Sequence, residues 1–139
     1  MTTVIDVPEA VELLRQAVSS RGPGYIYERQ PGLYASGGVF DDLCLYYHTD
    51  ERQPGCLVGL ALAIAGATPD QLIALDAEDG GTGAHQLDKV GDLSITRSAA
   101  EVLSEAQGKQ DEGADWGDAL HAAVTRANEL AGRSIPVAA

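Results

Sequence analysis

The sequence predicts an α+β fold, in which a small antiparallel β-meander packs on a helical layer that has one central buried helix. Three observations carry this reading. All five Tyr and the single Phe fall between Tyr25 and Tyr47, separated by Gly and Pro turns. The stretch Cys56-Leu57-Val58-Gly59-Leu60-Ala61-Leu62-Ala63-Ile64-Ala65 holds no charge. On either side of these segments, apolar residues recur at offsets of three and four.

Asp6 followed by Pro8 is a helix start, because the Asp side chain accepts from free amides and Pro is tolerated in the first turn. Ala10, Val11, Leu14, Ala17 and Val18 then line one helical face, predicting a helix over 7–20 that stops at Arg21-Gly22-Pro23-Gly24. The β region spans 25–48, with strands expected at Tyr25–Glu28, Leu33–Ala35 and Leu43–Tyr47. A helical region follows over 55–132. A helix that is apolar all round belongs in the core, so Cys56–Ala65 is placed at the centre, ended by Gly66. Thr68-Pro69 opens a short helix through Leu72, Ile73 and Leu75. Asp79 to Asp92, with Gly80, Gly81, Gly83 and Gly91, reads as an exposed loop. Thr96 caps a helix carrying Ala99, Val102, Leu103 and Ala106. Asp115 caps another carrying Trp116, Ala119, Leu120, Ala123, Val124, Ala127 and Leu130, and the two form an antiparallel hairpin.

At 139 residues and 45% hydrophobic, the chain fits a single domain over 1–139. No apolar stretch reaches the roughly 20 residues of a membrane span. The opening Met-Thr-Thr-Val-Ile-Asp-Val-Pro lacks the basic and apolar regions of a secretory signal, so a cytoplasmic location is expected. Nine Lys plus Arg against 21 Asp plus Glu give a net charge of −12, which argues against direct nucleic-acid binding. Between Asp70 and Asp118 there are 12 acids against Lys89, Arg97 and Lys109. Such a surface keeps a small domain in solution or meets a basic partner.

Cys56 stands at a helix start, where free amides and the helix dipole favour thiolate, and His85 is the best-placed base in sequence with His48 second. No family signature surrounds this pair, and the commoner reading is a small buried Cys beside Leu57 and Val58. Cys44, His48 and Cys56 match none of the common zinc spacings, so no metal is assigned. Asp76, Glu78 and Asp79-Gly80 imitate a calcium loop, but Gly80 and Leu87 fall where oxygen ligands are needed. Gly80-Gly81-Thr82-Gly83 lacks the Lys of a phosphate-binding loop, and no cofactor is expected. Tyr25, Tyr27 and Tyr34 remain as a recognition face, with Tyr25 and Tyr27 projecting from one side of a strand.

Pro54-Gly55-Cys56-Leu57-Val58-Gly59-Leu60-Ala61-Leu62, then Leu75-Asp76, then the run from Ala106 to Leu120 resemble a pattern in small uncharacterised proteins of actinobacteria and their phages. The resemblance covers roughly the last two thirds of the chain and implies a cytosolic phage or actinobacterial origin. It implies no activity, cofactor or catalytic residue. The function expected from the residues is a non-enzymatic protein-interaction module with a protein partner. The alternatives are a cysteine hydrolase or redox-sensitive thiol protein centred on Cys56, and an acidic nucleic-acid mimic that blocks a DNA-binding or defence protein.

Overall fold

The computed structural model describes residues 3–27, 32–33, 39–40, 45–48, 51–77 and 83–131. In chain order the elements are β1 (Thr3–Ile5), α1 (Val7–Arg21), β2 (Gly32–Leu33), β3 (Val39–Phe40), β4 (Tyr47–His48), β5 (Gln53–Pro54), α2 (Leu57–Ala65), α3 (Pro69–Ala77), a 3-10 turn (Ala84–Gln86), β6 (Lys89–Val90), β7 (Leu93–Ile95), α4 (Arg97–Asp111) and α5 (Trp116–Ala131). The α+β class holds, with short sheets of two or three strands beside a helical layer.

The helices start and stop where their side chains satisfy exposed backbone groups. At α1 the Glu9 carboxylate accepts from the Asp6 N–H at 3.0 Å, half of a capping box. Thr68 and Gln71 cap α3 reciprocally, at 2.9 and 3.2 Å. Thr96 Oγ1 accepts from Ala99 N at 3.1 Å to start α4, and Asp115 Oδ1 accepts from Asp118 N at 2.8 Å to start α5. Gly66 closes α2 in the left-handed conformation at φ 117°, where its N–H reaches the carbonyls of Leu62 and Ala63.

One hydrophobic cluster joins the elements. From α1 it takes Ala10, Val11, Leu14, Ala17 and Val18, the same five residues that the spacing marks. α1 packs against α2, α4 and α5, and α4 packs against α5 as the expected hairpin. α2 enters the core through Leu57, Val58, Ala61 and Leu62, while Ile64 on its other side reaches solvent. Gly59 admits the backbone at Tyr46 onto this helix: a Cβ there would stand 2.8 Å from the Tyr46 Cα. The close neighbour is thus the backbone just before β4.

The strands depart from expectation. Tyr25–Tyr27 is irregular rather than extended in a ladder, because its backbone serves α5: Trp116 N donates to the Tyr25 carbonyl at 2.8 Å and Gly117 N to that of Pro23 at 2.7 Å. Within the region of the expected meander, the described residues form two-residue antiparallel ladders, β2 with β3 and β4 with β5. Half of the expected strands at Leu33–Ala35 and Leu43–Tyr47, Tyr34 and Cys44 included, lies outside the described residues. Among the described residues the largest sheet lies elsewhere, in the order β1-β7-β6, with β1 parallel and β6 antiparallel to β7. The described part of the expected Asp79–Asp92 loop is anchored by Ala84, Leu87 and Val90, all buried.

Gln110, 3% exposed, connects three elements. Its Oε1 accepts from Leu57 N at 2.8 Å and from Trp116 Nε1 at 3.1 Å, so one α4 side chain satisfies the start of α2 and the indole of α5. Each donor left unsatisfied in the interior costs about 1–3 kcal/mol. Gln110→Met is therefore expected to lower unfolding free energy by about 2–4 kcal/mol in urea titration. Leu62→Ala is expected to cost about 2–5 kcal/mol through its cavity. A Gln110→Met loss below about 1 kcal/mol would mean that these donors find other partners.

Candidate functional site

Cys56 precedes α2 as its cap. It is 0% exposed, its Sγ accepts from Gly59 N at 3.4 Å, and its own N–H donates to the Leu45 carbonyl at 2.9 Å. The sulfur is held by packing and capping, out of reach of a solvent-borne substrate. His85 is exposed on the 3-10 turn, and its ring folds back over Gly83, with Cε1 2.6 Å from where a Cβ would stand. No described hydrogen bond or ion pair links His85 to Cys56.

The histidine beside Cys56 is His48, 4% exposed, whose ring lies against Gly55. Its Nε2 meets the Tyr27 hydroxyl at 2.8 Å and its Nδ1 meets Glu51 Oε1 at 2.9 Å. The same hydroxyl accepts from Leu45 N at 2.9 Å. Tyr27, 7% exposed, thus ties the segment after α1 to β4 from inside the protein.

Tyr25 packs on Trp116 edge to face, with ring centroids 4.6 Å apart. The Arg21 guanidinium lies over both rings, 5.4 and 5.1 Å from their centroids, and donates to the carbonyls of Pro54 and Gly55. The two tyrosines therefore do not project together from a sheet face. Each is used internally, and between them Ile26 is the residue that reaches solvent. Tyr34 lies outside the described residues.

Asp76, the first acid of the calcium-like stretch, turns inward and accepts from Tyr46 N at 2.8 Å and Tyr47 N at 3.1 Å. Burial pushes its pKa up to about 6, against the two amides, which pull it down. Among the described residues, no three or more His, Cys, Asp or Glu side chains come together as a metal site. Other acids of the Asp70–Asp118 segment are engaged as well. Glu101 pairs with Arg126 at 3.1 Å, Glu112 approaches Lys109 at 3.7 Å, and Asp115 caps α5.

What the residues leave open is the edge of the main sheet. Among the described residues, β1 has β7 on one side and no strand on the other. Thr3 N donates to the Asp92 carbonyl and the Ile5 carbonyl accepts from Thr96 N, so strand alternation turns the N–H and C=O of Val4 away from β7. Val4 is 57% exposed. Beside it lies a groove of about 360 Å³, bounded by β1, by Pro8, Glu9, Glu12 and Leu13 of α1, and by Ala65 at the end of α2. Sequence reasoning passed over this site. Its available signal was Val4 set beside Ile5 directly before a helix cap, too short a stretch to register as a strand.

No protein-family model, curated protein or solved structure matches the chain.

Two measurements check these placements. Because the native state holds the Asp76 proton up to about pH 6 and the unfolded chain releases it near 3.8, this group's contribution is fully present below about pH 4 and is lost as pH rises through 6. Asp76→Asn should remove that decline, so the stability difference between wild type and variant should change between about pH 4 and 6 and be flat above; parallel profiles would return the carboxyl to an ordinary value. In a Cys44→Ser background, Cys56 should react with iodoacetamide only when denaturant opens the core. Rapid labelling of the native protein at about pH 7 would mean an accessible thiolate.

Proposed function

We propose that the chain is a non-enzymatic protein-interaction module, an accessory factor of an actinobacterium or its phage, whose contact surface is the free edge of β1 and the groove beside it. The observation that carries this reading is Val4, an exposed aliphatic side chain on a strand edge that no described strand pairs, next to a concavity walled by Pro8, Leu13 and Ala65. Unpaired strand edges attract other chains unless they are covered or charged, and this one presents Val at its middle position.

The thiol alternative draws little support from a fully buried Cys56 that caps its own helix. The mimic alternative needs a continuous row of free carboxylates, whereas Asp76, Glu101 and Asp115 have intramolecular roles.

The test is capture from an actinobacterial lysate with the wild-type chain and with Val4→Asp as baits, at moderate salt. Val4 is exposed, so the variant should keep the wild-type circular dichroism and melting transition. A partner retained by wild type and depleted at least roughly tenfold on the variant is the expected result. Identical partner sets on the two folded baits would remove the β1 edge from consideration.

A further inference from the structure

Resting on the reading of the β1 edge as a contact surface, we infer that its occupant is an extended, basic protein segment that adds to the sheet as a fourth strand beside β1. Backbone geometry argues for a strand. Successive residues of a strand face opposite sides of its sheet, yet Thr3, Val4 and Ile5 all border the groove. The groove therefore runs along the edge of β1 rather than over one face. The outward N–H and C=O of Val4 offer an incoming chain a donor and an acceptor at ladder spacing. A helix would leave both groups unpaired beneath it.

Charge argues for a basic segment. Glu9 and Glu12 stand on the α1 wall of the groove, and neither makes an ion pair among the described residues. Glu9 accepts from its own helix cap with Oε1, and Glu12 accepts at 3.4 Å from Gln16, so no described cation occupies either carboxylate. In an incoming strand, alternate residues would place aliphatic side chains against Pro8, Leu13 and Ala65, and the others would set Lys or Arg beside the two carboxylates. A second copy of this chain is disfavoured as occupant: pairing β1 with β1 brings the Glu9 and Glu12 walls of two molecules together, each molecule carrying −12.

The experiment uses the full chain, labelled with 15N, and four capped peptides: a Lys–Val alternating hexapeptide, its Glu–Val counterpart, the Lys–Val peptide N-methylated at alternate amides, and a Lys–Leu peptide designed as an amphipathic helix. The Lys–Val peptide is expected to shift the amide resonances of residues 3–13 saturably. Its affinity should fall at least roughly tenfold on N-methylation, and by a similar factor in the Glu9→Gln/Glu12→Gln double variant, in which the amide oxygen introduced at position 9 still accepts from the helix cap. The Glu–Val peptide should leave those resonances unmoved. Equal binding by the Glu–Val or N-methylated peptide overturns the inference, as does silence from the Lys–Val peptide. If the helical peptide alone perturbs residues 3–13, strand addition is wrong while the contact surface stands. If no peptide does so and Val4→Asp captures the same partners as wild type, both readings fail.

Discussion

The arrangement of the helices depends on one buried amide. Gln110 lies where α2 starts, where the α5 indole is fully enclosed and where α4 must pack against both, and its carbonyl oxygen answers the two donors that meet there. An apolar side chain could fill that volume but not accept. Constraint spreads outward from this point, since Trp116 carries Tyr25 on its ring and its N–H takes the Tyr25 carbonyl. Arg21 lies over both rings and holds the turn at Pro54–Gly55 that leads back into α2. The circuit from α2 through α4 and α5 to the end of α1 is closed by polar contacts in an apolar interior, which sets the register of the helices as packing alone does not.

How much of this was legible depends on the distance over which each signal acts. The helices were readable because caps and apolar spacing are local: Thr68, Thr96 and Asp115 each act within three residues of themselves. The tyrosine region was misread for the same reason. High β-propensity in Tyr25-Ile26-Tyr27 is a local preference, and it lost to partners far along the chain, Trp116 for one tyrosine and His48 for the other. The Gly-rich stretch concealed a regular spacing, for Ala84, Leu87, Val90 and Leu93 fall three apart and all are buried. At Gly59 the partner that comes close, the Tyr46 backbone, is legible only from the fold.

For the candidate site, the residues singled out by chemical type were those the fold consumes. Cys, Tyr and inward-turned Asp are reactive or adhesive side chains, and here Cys56, Tyr25, Tyr27 and Asp76 each complete a backbone or ring contact. The proposed contact surface is made of ordinary residues, Val4, Leu13 and Ala65 beside two glutamates. Its character comes from a strand edge that no described strand pairs, a property of topology that composition does not carry.

The joint between the two ends of the main sheet also bears on how the chain is made. β1 runs directly into α1 and β7 directly into α4, the strands lie parallel, and the two caps touch where Thr96 Oγ1 donates to Asp6 Oδ1 at 2.9 Å across 90 residues. On the ribosome β1 emerges long before its partner, so Thr3–Ile5 must wait with both edges bare until β7 has been synthesised. Closing so long a loop slows folding but carries only a logarithmic cost in stability. A nascent chain stalled before Leu93 would therefore hold Val4 and Ile5 without the strand they pair with.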